Sequence, residues 1–464
     1  MASNKHANLA DGVLGRLAAT APMRRLFPRW HILEKRKMLG ILPKSGLRIV
    51  LVNIYEQHGG AAIAAKRLFS ALRKEGVDVW MLVKDKTTRD DRVIEAGLLA
   101  KRKQEDFGGP VLETDTYFTD CFSGLDIGDA LEVFDPDIVN CHWIAETFVY
   151  LPSLVNINAP VIFTMHDQWY ATGGCHYTCW SHSGLGNSPC DGYLRGCLEC
   201  PKILKGDKTC SKRIWDCKKA VYGKLPRKAF VGVSSWVVNE MRLSGIAGET
   251  TFETVHNPID TDLYKPDDKM LCRKGLGLEP RTNYLFFGTA YGIGDGNKIK
   301  GFHFLVEALK KLHQEGKLNG VELLALGEPP EKSPLDFVKT HFLGVVEDEK
   351  RLIRILNASN VAIVPSIMEN LSNMIVESLA CGVPIVAFRV GGIPEIVNHL
   401  EYGYLATPYD TNDLARGLEW VLNHQAPDNL ARNARKIVMD RFAQKEVVTA
   451  YLKLCRKLLG TPRE

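Results

Sequence analysis

The chain predicts an α/β protein built from two doubly wound, parallel-sheet domains. Three observations carry this expectation. Short apolar runs alternate with helical stretches in two successive rounds. A glycine-rich loop follows the first strand of each round. A turn-rich stretch, Val255-His256-Asn257-Pro258-Ile259-Asp260, separates the rounds with an X-Pro stop.

The first strand is Leu47–Asn53, an almost continuous apolar run of the kind a parallel sheet buries on both faces. A loop bearing Gly59 and Gly60 leads into a helix over Ala61–Arg73, which ends near Gly76. Further strands are expected at Val77–Val83, Asp137–Cys141, Pro160–Met165 and Ala229–Ser234. The second round starts with Tyr284–Gly288, a Gly-rich loop and a helix from about Gly301 to Glu315. Strands at Glu322–Leu326, Thr340–Leu343, Val361–Val364 and Ile385–Ala387 follow, and Gln444–Leu459 reads as a terminal helix. The expected division is a basic extension over 1–45, a first domain over 46–256 with a Cys-rich insertion at 173–218, a second domain over 257–440, and a final helix within 441–464.

The 464 residues are 45% hydrophobic and 24% charged, an ordinary balance for a globular enzyme. No apolar run is long enough to span a membrane, and the N-terminus lacks the apolar core of a secretory signal. The expected location is therefore cytoplasmic. The net charge of +5 resides in the first 45 residues, which carry +7 and leave −2 for the rest. A slightly acidic body argues against nucleic acid as a partner. The basic segment interleaves its cations with Leu26, Phe27, Trp30 and Leu33. It suits either peripheral contact with an anionic inner-membrane face or a solvated tail or extra helix on the first domain.

The most informative segment runs from Pro365 to Glu395. A buried strand ends at Pro365, a polar loop bearing Glu369 opens a helix near Asn370–Ser372, and Glu377 comes about two turns on. Such a loop places free backbone N–H groups at a helix N-terminus beyond the carboxyl end of a parallel strand, where phosphates bind in open α/β sheets. Carboxylates there suit sugar and ribose hydroxyls rather than phosphate. The plainer alternative is that Glu369 caps the helix and Glu377 is exposed.

This segment resembles the E-x7-E signature of glycosyltransferase family 4, retaining enzymes of GT-B fold. The strand Gly382-Val-Pro-Ile-Val-Ala387, the turn Gly391-Gly392-x-x-Glu395 and the pair Lys300-Gly301 match as well. The resemblance implies two Rossmann-like domains facing a central cleft, an acceptor domain first and a nucleotide-sugar donor domain second. It implies that Glu377 binds the donor ribose, that Glu369 binds the transferred sugar, and that the backbone of Asn370, Leu371 and Ser372 lies near sugar and phosphates. Lys300 would neutralise the leaving diphosphate, whose growing charge needs fixed cations and dipoles. Gly59 and Gly60 would approach the donor phosphates or the acceptor from the other side of the cleft. His166 would face the donor sugar, and His142 would line the acceptor side. The leaving phosphate itself would take the acceptor's proton, with no catalytic metal. The Asp135-Pro-Asp137 and Asp260-Thr-Asp262 strings sit at strand or linker edges and are not read as a metal site. The chain departs from the family at Gly294, where an Arg is usual, and Lys298 is the nearest substitute cation.

Seven of twelve cysteines fall between Cys175 and Cys217. Without a secretion signal, clustered thiols read as metal ligands before disulfides. The Cys197-x-x-Cys200 pair with two further thiols has the ligand count of a structural zinc site. The insertion resembles that of colanic-acid-type bacterial exopolysaccharide glycosyltransferases, which singles out Cys175, Cys190, Cys197 and Cys200 over Cys179, Cys210 and Cys217. Disulfides and metal-free thiols stay open. The dispersed Cys121, Cys141, Cys272, Cys381 and Cys455 are expected to be small buried residues.

The expected activity is transfer of a sugar from a nucleotide-sugar donor to a saccharide or lipid-linked saccharide acceptor in polysaccharide biosynthesis. The alternatives are a soluble small-molecule acceptor, or a non-catalytic saccharide- or nucleotide-binding protein.

Overall fold

A computed structural model describes residues 30–105, 111–112, 117–178, 190–289, 292–293 and 295–460. Residues 1–29, Cys179 and Gly294 lie outside the described residues.

The first sheet has seven parallel strands: β1 (Arg48–Tyr55), β2 (Asp78–Asp85), β3 (Val93–Glu95), β4 (Ile138–Cys141), β5 (Val161–Met165), β6 (Lys228–Gly232) and β7 (Thr251–Thr254). Their spatial order is β7-β6-β5-β4-β1-β2-β3. The second sheet has six parallel strands: β8 (Asn283–Gly288), β9 (Val321–Leu326), β10 (Thr340–Phe342), β11 (Val361–Val364), β12 (Ile385–Phe388) and β13 (Gly403–Ala406). Their order is β10-β9-β8-β11-β12-β13. Counted within each domain, the sheets run 3-2-1-4-5-6-7 and 3-2-1-4-5-6, the doubly wound arrangement whose switch point lies between strands 1 and 4. The central strands are buried on both faces because helices cover each side, which is why they read as continuous apolar runs.

Seven helices carry or brace the functional segments. α1 (Trp30–Met38) precedes the first sheet, and α2 (Gly60–Lys74) comes after β1. α3 (Cys210–Lys224) closes the cysteine-rich insertion, and α4 (Ser235–Ser244) comes after β6. α5 (Phe302–Gln314) and α6 (Asn373–Ala380) belong to the second domain, and α7 (Gln444–Leu459) is terminal. α7 does not stay with the second domain. Its Val448, Tyr451, Leu454 and Cys455 share a core with Ile49, Leu51, Leu68 and Val79 of the first. The chain thus crosses between domains twice, and the crossings lie side by side, with Ile259 bridging to Ala443.

The described part of the basic extension packs on the first domain. Lys35 donates to the Leu99 carbonyl, Arg36 to those of Glu132 and Val133, and Lys44 pairs with Asp137 at 2.8 Å. From residue 30 onward it therefore fits the extra-helix reading.

Candidate active site

Lys300 and Glu369 come from the loops after β8 and β11, which flank the second domain's switch point. Two close backbone approaches bring them together. Ile367 N–H donates to the Ile299 carbonyl at 2.8 Å, zipping one loop against the other. Gly301 sits at φ 72°, and a Cβ there would lie 1.8 Å from the Pro365 carbonyl oxygen, so glycine alone permits the contact. Lys300 Nζ then reaches Glu369 Oε2 at 2.6 Å.

The turn after β12 walls the same loop from the other side. Gly392 N–H donates to the Glu369 carbonyl at 3.0 Å. A Cβ on Gly391 or Gly392 would lie 1.9 or 2.0 Å from the carbonyl oxygens of Glu369 or Asn370. Among the described residues, the N–H groups of Asn370, Leu371, Ser372 and Asn373 donate to nothing. A row of free donors at a helix start, beside a lysine, has the chemistry that suits an anion. Lys298 stands partly exposed in the loop leading to Lys300.

Glu369 and Glu377 are only 5% and 4% exposed. Neither acts as the plainer alternative supposed. The N-cap of α6 is Ser372, without a side-chain cap, and α6 begins at Asn373 rather than near Asn370. Glu377 therefore lies about one turn into the helix, not two. Its carboxylate is held by Arg67 of α2, across the cleft, at 2.7 Å.

The first domain presents a different surface. His142 comes directly after β4 and His166 directly after β5, and the two rings stack at 5.2 Å. Asn140 Nδ2 donates to His142 Nε2 at 3.1 Å, which leaves Nδ1 of His142 to donate to His166 Nε2 at 2.9 Å. Thr164 Oγ1 fixes the Asn140 carbonyl at 2.8 Å. Burial pushes both imidazoles down, His142 well below the usual range and His166 to about 4, although Asp167 pulls the latter upward. The pair is neutral near pH 7. His142, expected to line the cleft, is only 2% exposed and instead stands behind His166 as its support. Gly59 and Gly60 open α2 opposite the start of α6, where Asn373 Nδ2 donates to the Gly60 carbonyl at 3.0 Å. Glu56 braces that loop. Burial alone would raise its pKa, but Lys66, Thr88 and the amides of Thr87 and Thr88 hold it at about 2.

Asn370 spans the two domains. Its amide donates to the carbonyls of Met165 and His166 at 3.1 and 3.0 Å, and its Oδ1 accepts from Ser234. Glu395 does the same at the other end of its motif, accepting from the N–H groups of Ser235 and Trp236 at 2.7 Å and so capping α4. Sequence reasoning missed Arg67, the Asn370 side chain and the cap by Glu395. Nothing local marks them, since each acts on a partner distant in the chain.

Cys175, Cys190, Cys197 and Cys200 line one small cavity of about 20 Å³. Gly173 N–H donates to Cys197 Sγ at 3.2 Å and Gly192 N–H to Cys190 Sγ at 3.4 Å, the support a thiolate site uses. Contact with Cys200 lowers the Cys175 thiol to about 6. Yet among the described residues no group of three or more Cys, His, Asp or Glu is gathered closely enough to hold a metal ion. No described cysteine forms a disulfide, and the five dispersed cysteines are buried.

Residues 283–424 match the family model described as "Glycosyl transferases group 1". Over that stretch the second domain is similar to group 1 glycosyl transferases. Among curated relatives, the chain is 29% identical over 208 residues to N-acetyl-alpha-D-glucosaminyl L-malate synthase of Bacillus anthracis, covering 43% of this chain and 52% of that one. It is 29% identical over 200 residues to D-inositol 3-phosphate glycosyltransferase of Mycobacterium sp. strain KMS, covering 40% and 43%. The chain thus spans about half the length of the curated relatives it matches. Among solved structures, sucrose-phosphate synthase of Thermosynechococcus elongatus aligns with a TM-score of 0.60 at 18% identity, over 89% of this chain and 100% of that one. Anabaena Alr3699/HepE in complex with UDP aligns with a TM-score of 0.59 at 15% identity, over 89% and 100%. The fold is GT-B.

Proposed function

We propose that this protein transfers a sugar, with retention, from a nucleotide-sugar donor to a saccharide acceptor in the assembly of a polysaccharide. One observation carries the reading: the Lys300–Glu369 pair lies beside a row of unbonded N–H groups at the second domain's switch point. Cation and dipoles suit a leaving diphosphate in a dry cleft, and the carboxylate suits the hydroxyls of the transferred sugar. Glu377 takes the ribose. Lys298 supplements Lys300, and Gly59 and Gly60 close over the donor. His166, neutral and aimed by His142, faces the transferred sugar. The relatives' names support glycosyl transfer, and the complex of Alr3699/HepE with UDP supports a nucleotide-linked donor.

The acceptor side is the first domain, where Tyr117 stacks on Trp143 and the Tyr55 and Tyr117 hydroxyls both bond Glu146. A lipid-linked saccharide there would suit peripheral contact with the inner membrane face, and no described helix is long and apolar enough to cross a membrane. A second reading, a small soluble acceptor, draws support from relatives named for L-malate and inositol phosphate. It also draws support from Lys35, Arg36 and Lys44, which are spent on the first domain rather than left for lipid. Vesicle binding that falls with salt supports the lipid-linked acceptor, and its absence the soluble one.

The testing experiment is a thermal-shift panel of UDP-, GDP- and ADP-linked sugars on the native chain and on Glu377→Ala. A donor that binds only the folded state raises the melting temperature with concentration. One donor should stabilise the native chain and not the variant; a panel without any shift removes the donor-site assignment. We also propose that the four cysteines around the insertion's cavity hold a structural zinc after a small inward movement of the sulfurs. Protein purified without chelator should carry about one zinc per chain, and metal-free, fully folded protein refutes this.

A further inference from the structure

Arg67 takes no direct part in the transfer proposed for this site, yet it makes a dense set of contacts across the cleft. It sits on α2 of the first domain, and its side chain is 12% exposed. A single nitrogen, Nη2, donates to Glu377 Oε1 at 2.7 Å, Tyr264 Oη at 3.0 Å and Glu349 Oε1 at 3.3 Å. Tyr264 itself donates to Glu349 at 3.0 Å, and the guanidinium lies 5.1 Å from the Tyr264 ring. Glu377 Oε1 is thereby committed. Its Oε2 accepts no hydrogen bond among the described residues and is not sealed from solvent.

We propose that Arg67 is a positioning residue for the donor ribose, acting across the cleft through Glu377. The proposal rests on the reading that Glu377 receives that ribose. A carboxyl group turns easily about its last torsion. Arg67 prevents this. It fixes one oxygen of Glu377, so that the other accepts a ribose hydroxyl from one direction. Because Arg67 and Glu377 belong to different domains, the ribose grip is complete only when the cleft is closed as here. Donor recognition is thereby coupled to closure.

The test is calorimetric titration of the full chain with three probes: a nucleoside diphosphate, its 2′,3′-dideoxy counterpart and inorganic pyrophosphate. UDP, GDP and ADP are tried in turn for the first. Arg67→Met should weaken the nucleoside diphosphate by about tenfold or more, as loss of a charge-assisted contact does. The two probes without ribose hydroxyls should bind as to the native chain. Glu377→Gln should produce the same selective loss, and adding Arg67→Met to it should change nothing further. Arg67→Lys, which keeps the charge, should recover part of the affinity and serves if the Met variant does not fold. Equal losses on all three probes, additive losses in the double variant, or tighter nucleotide binding by Arg67→Met would each overturn the proposal. If the native chain ignores the ribose hydroxyls, the role given to Glu377 falls and takes this one with it. If Glu377→Gln alone is ribose-selective, only the role of Arg67 falls.

Discussion

The two domains use one strand order and arm it in opposite ways. At the second domain's switch point stand a carboxylate, a paired ammonium and a row of free N–H dipoles. At the ends of β4 and β5 in the first domain stand two neutral imidazoles backed by an amide and a hydroxyl. The sheets do not cause this difference, since both contain the order 3-2-1-4-5-6, the first with one further edge strand. The loops cause it. Gly301, Gly391 and Gly392 let three backbones crowd around Glu369, leaving charge and dipoles pointed into the cleft. β4 and β5 end instead in side chains that satisfy one another. On the function proposed above, the scaffold sets where a ligand would sit, and the loops set whether the site suits an anion or a neutral polyol.

The sharpest way to break this contrast is to remove charge from the second domain. Glu369→Ala should lower transfer by roughly 100- to 1000-fold, the range for loss of one preorganised polar group at a reacting centre, with little change in melting temperature. Full activity in the variant would strip Glu369 of its role.

The neutral half should announce itself through pH. Unfolded imidazoles take up protons near 6.5, whereas folded His166 does so only at about 4. Between those values the unfolded chain binds more protons, so the stability from a neutral pair is complete above about 6.5 and is lost as pH falls toward 4. The loss should amount to up to about 3 kcal/mol. Denaturant melts of the native chain and of a His142→Asn, His166→Asn double variant across that range should show a steeper acid loss in the native chain. Parallel curves would refute the assignment.

The next largest effect probes the joint between the halves. Asn370→Ala leaves two carbonyls and the Ser234 hydroxyl without their partner and should cost about 1–3 kcal/mol. Small-angle scattering should show a more open molecule, and an unchanged profile would confine Asn370 to its own loop. Glu395→Ala removes a cap on α4 and should cost about 1 kcal/mol by thermal melting. A loss no larger than that of a surface substitution would mean that water replaces the cap.

The parts that were legible share a short range. Alternating apolar runs located ten of the thirteen strands, whereas the short edge strands β3, β7 and β13 have no comparable apolar run and were missed. The Lys300-Gly301 and Gly391-Gly392 pairs were visible because a tight backbone approach tolerates only glycine. The start of α6 was misplaced by a few residues, since Asn370, Leu371 and Ser372 are as compatible with a first turn as with the loop they form. The four cysteines were singled out by resemblance, which does not say that their sulfurs surround a cavity without converging.

The sequence by itself determined the alternation of strand and helix, the two glycine-lined loops and the chemical types available at each strand end. Those stem from residue volume, backbone freedom and apolar periodicity, all local properties. Only the tertiary structure decided that Arg67 grips Glu377 from 310 residues away, that Asn370 ties Met165 and His166 to the second domain, and that the last helix returns to the first. Such contacts depend on where two sheets come to rest against each other. Many weak packing terms fix that placement together, and no single stretch of the chain encodes it.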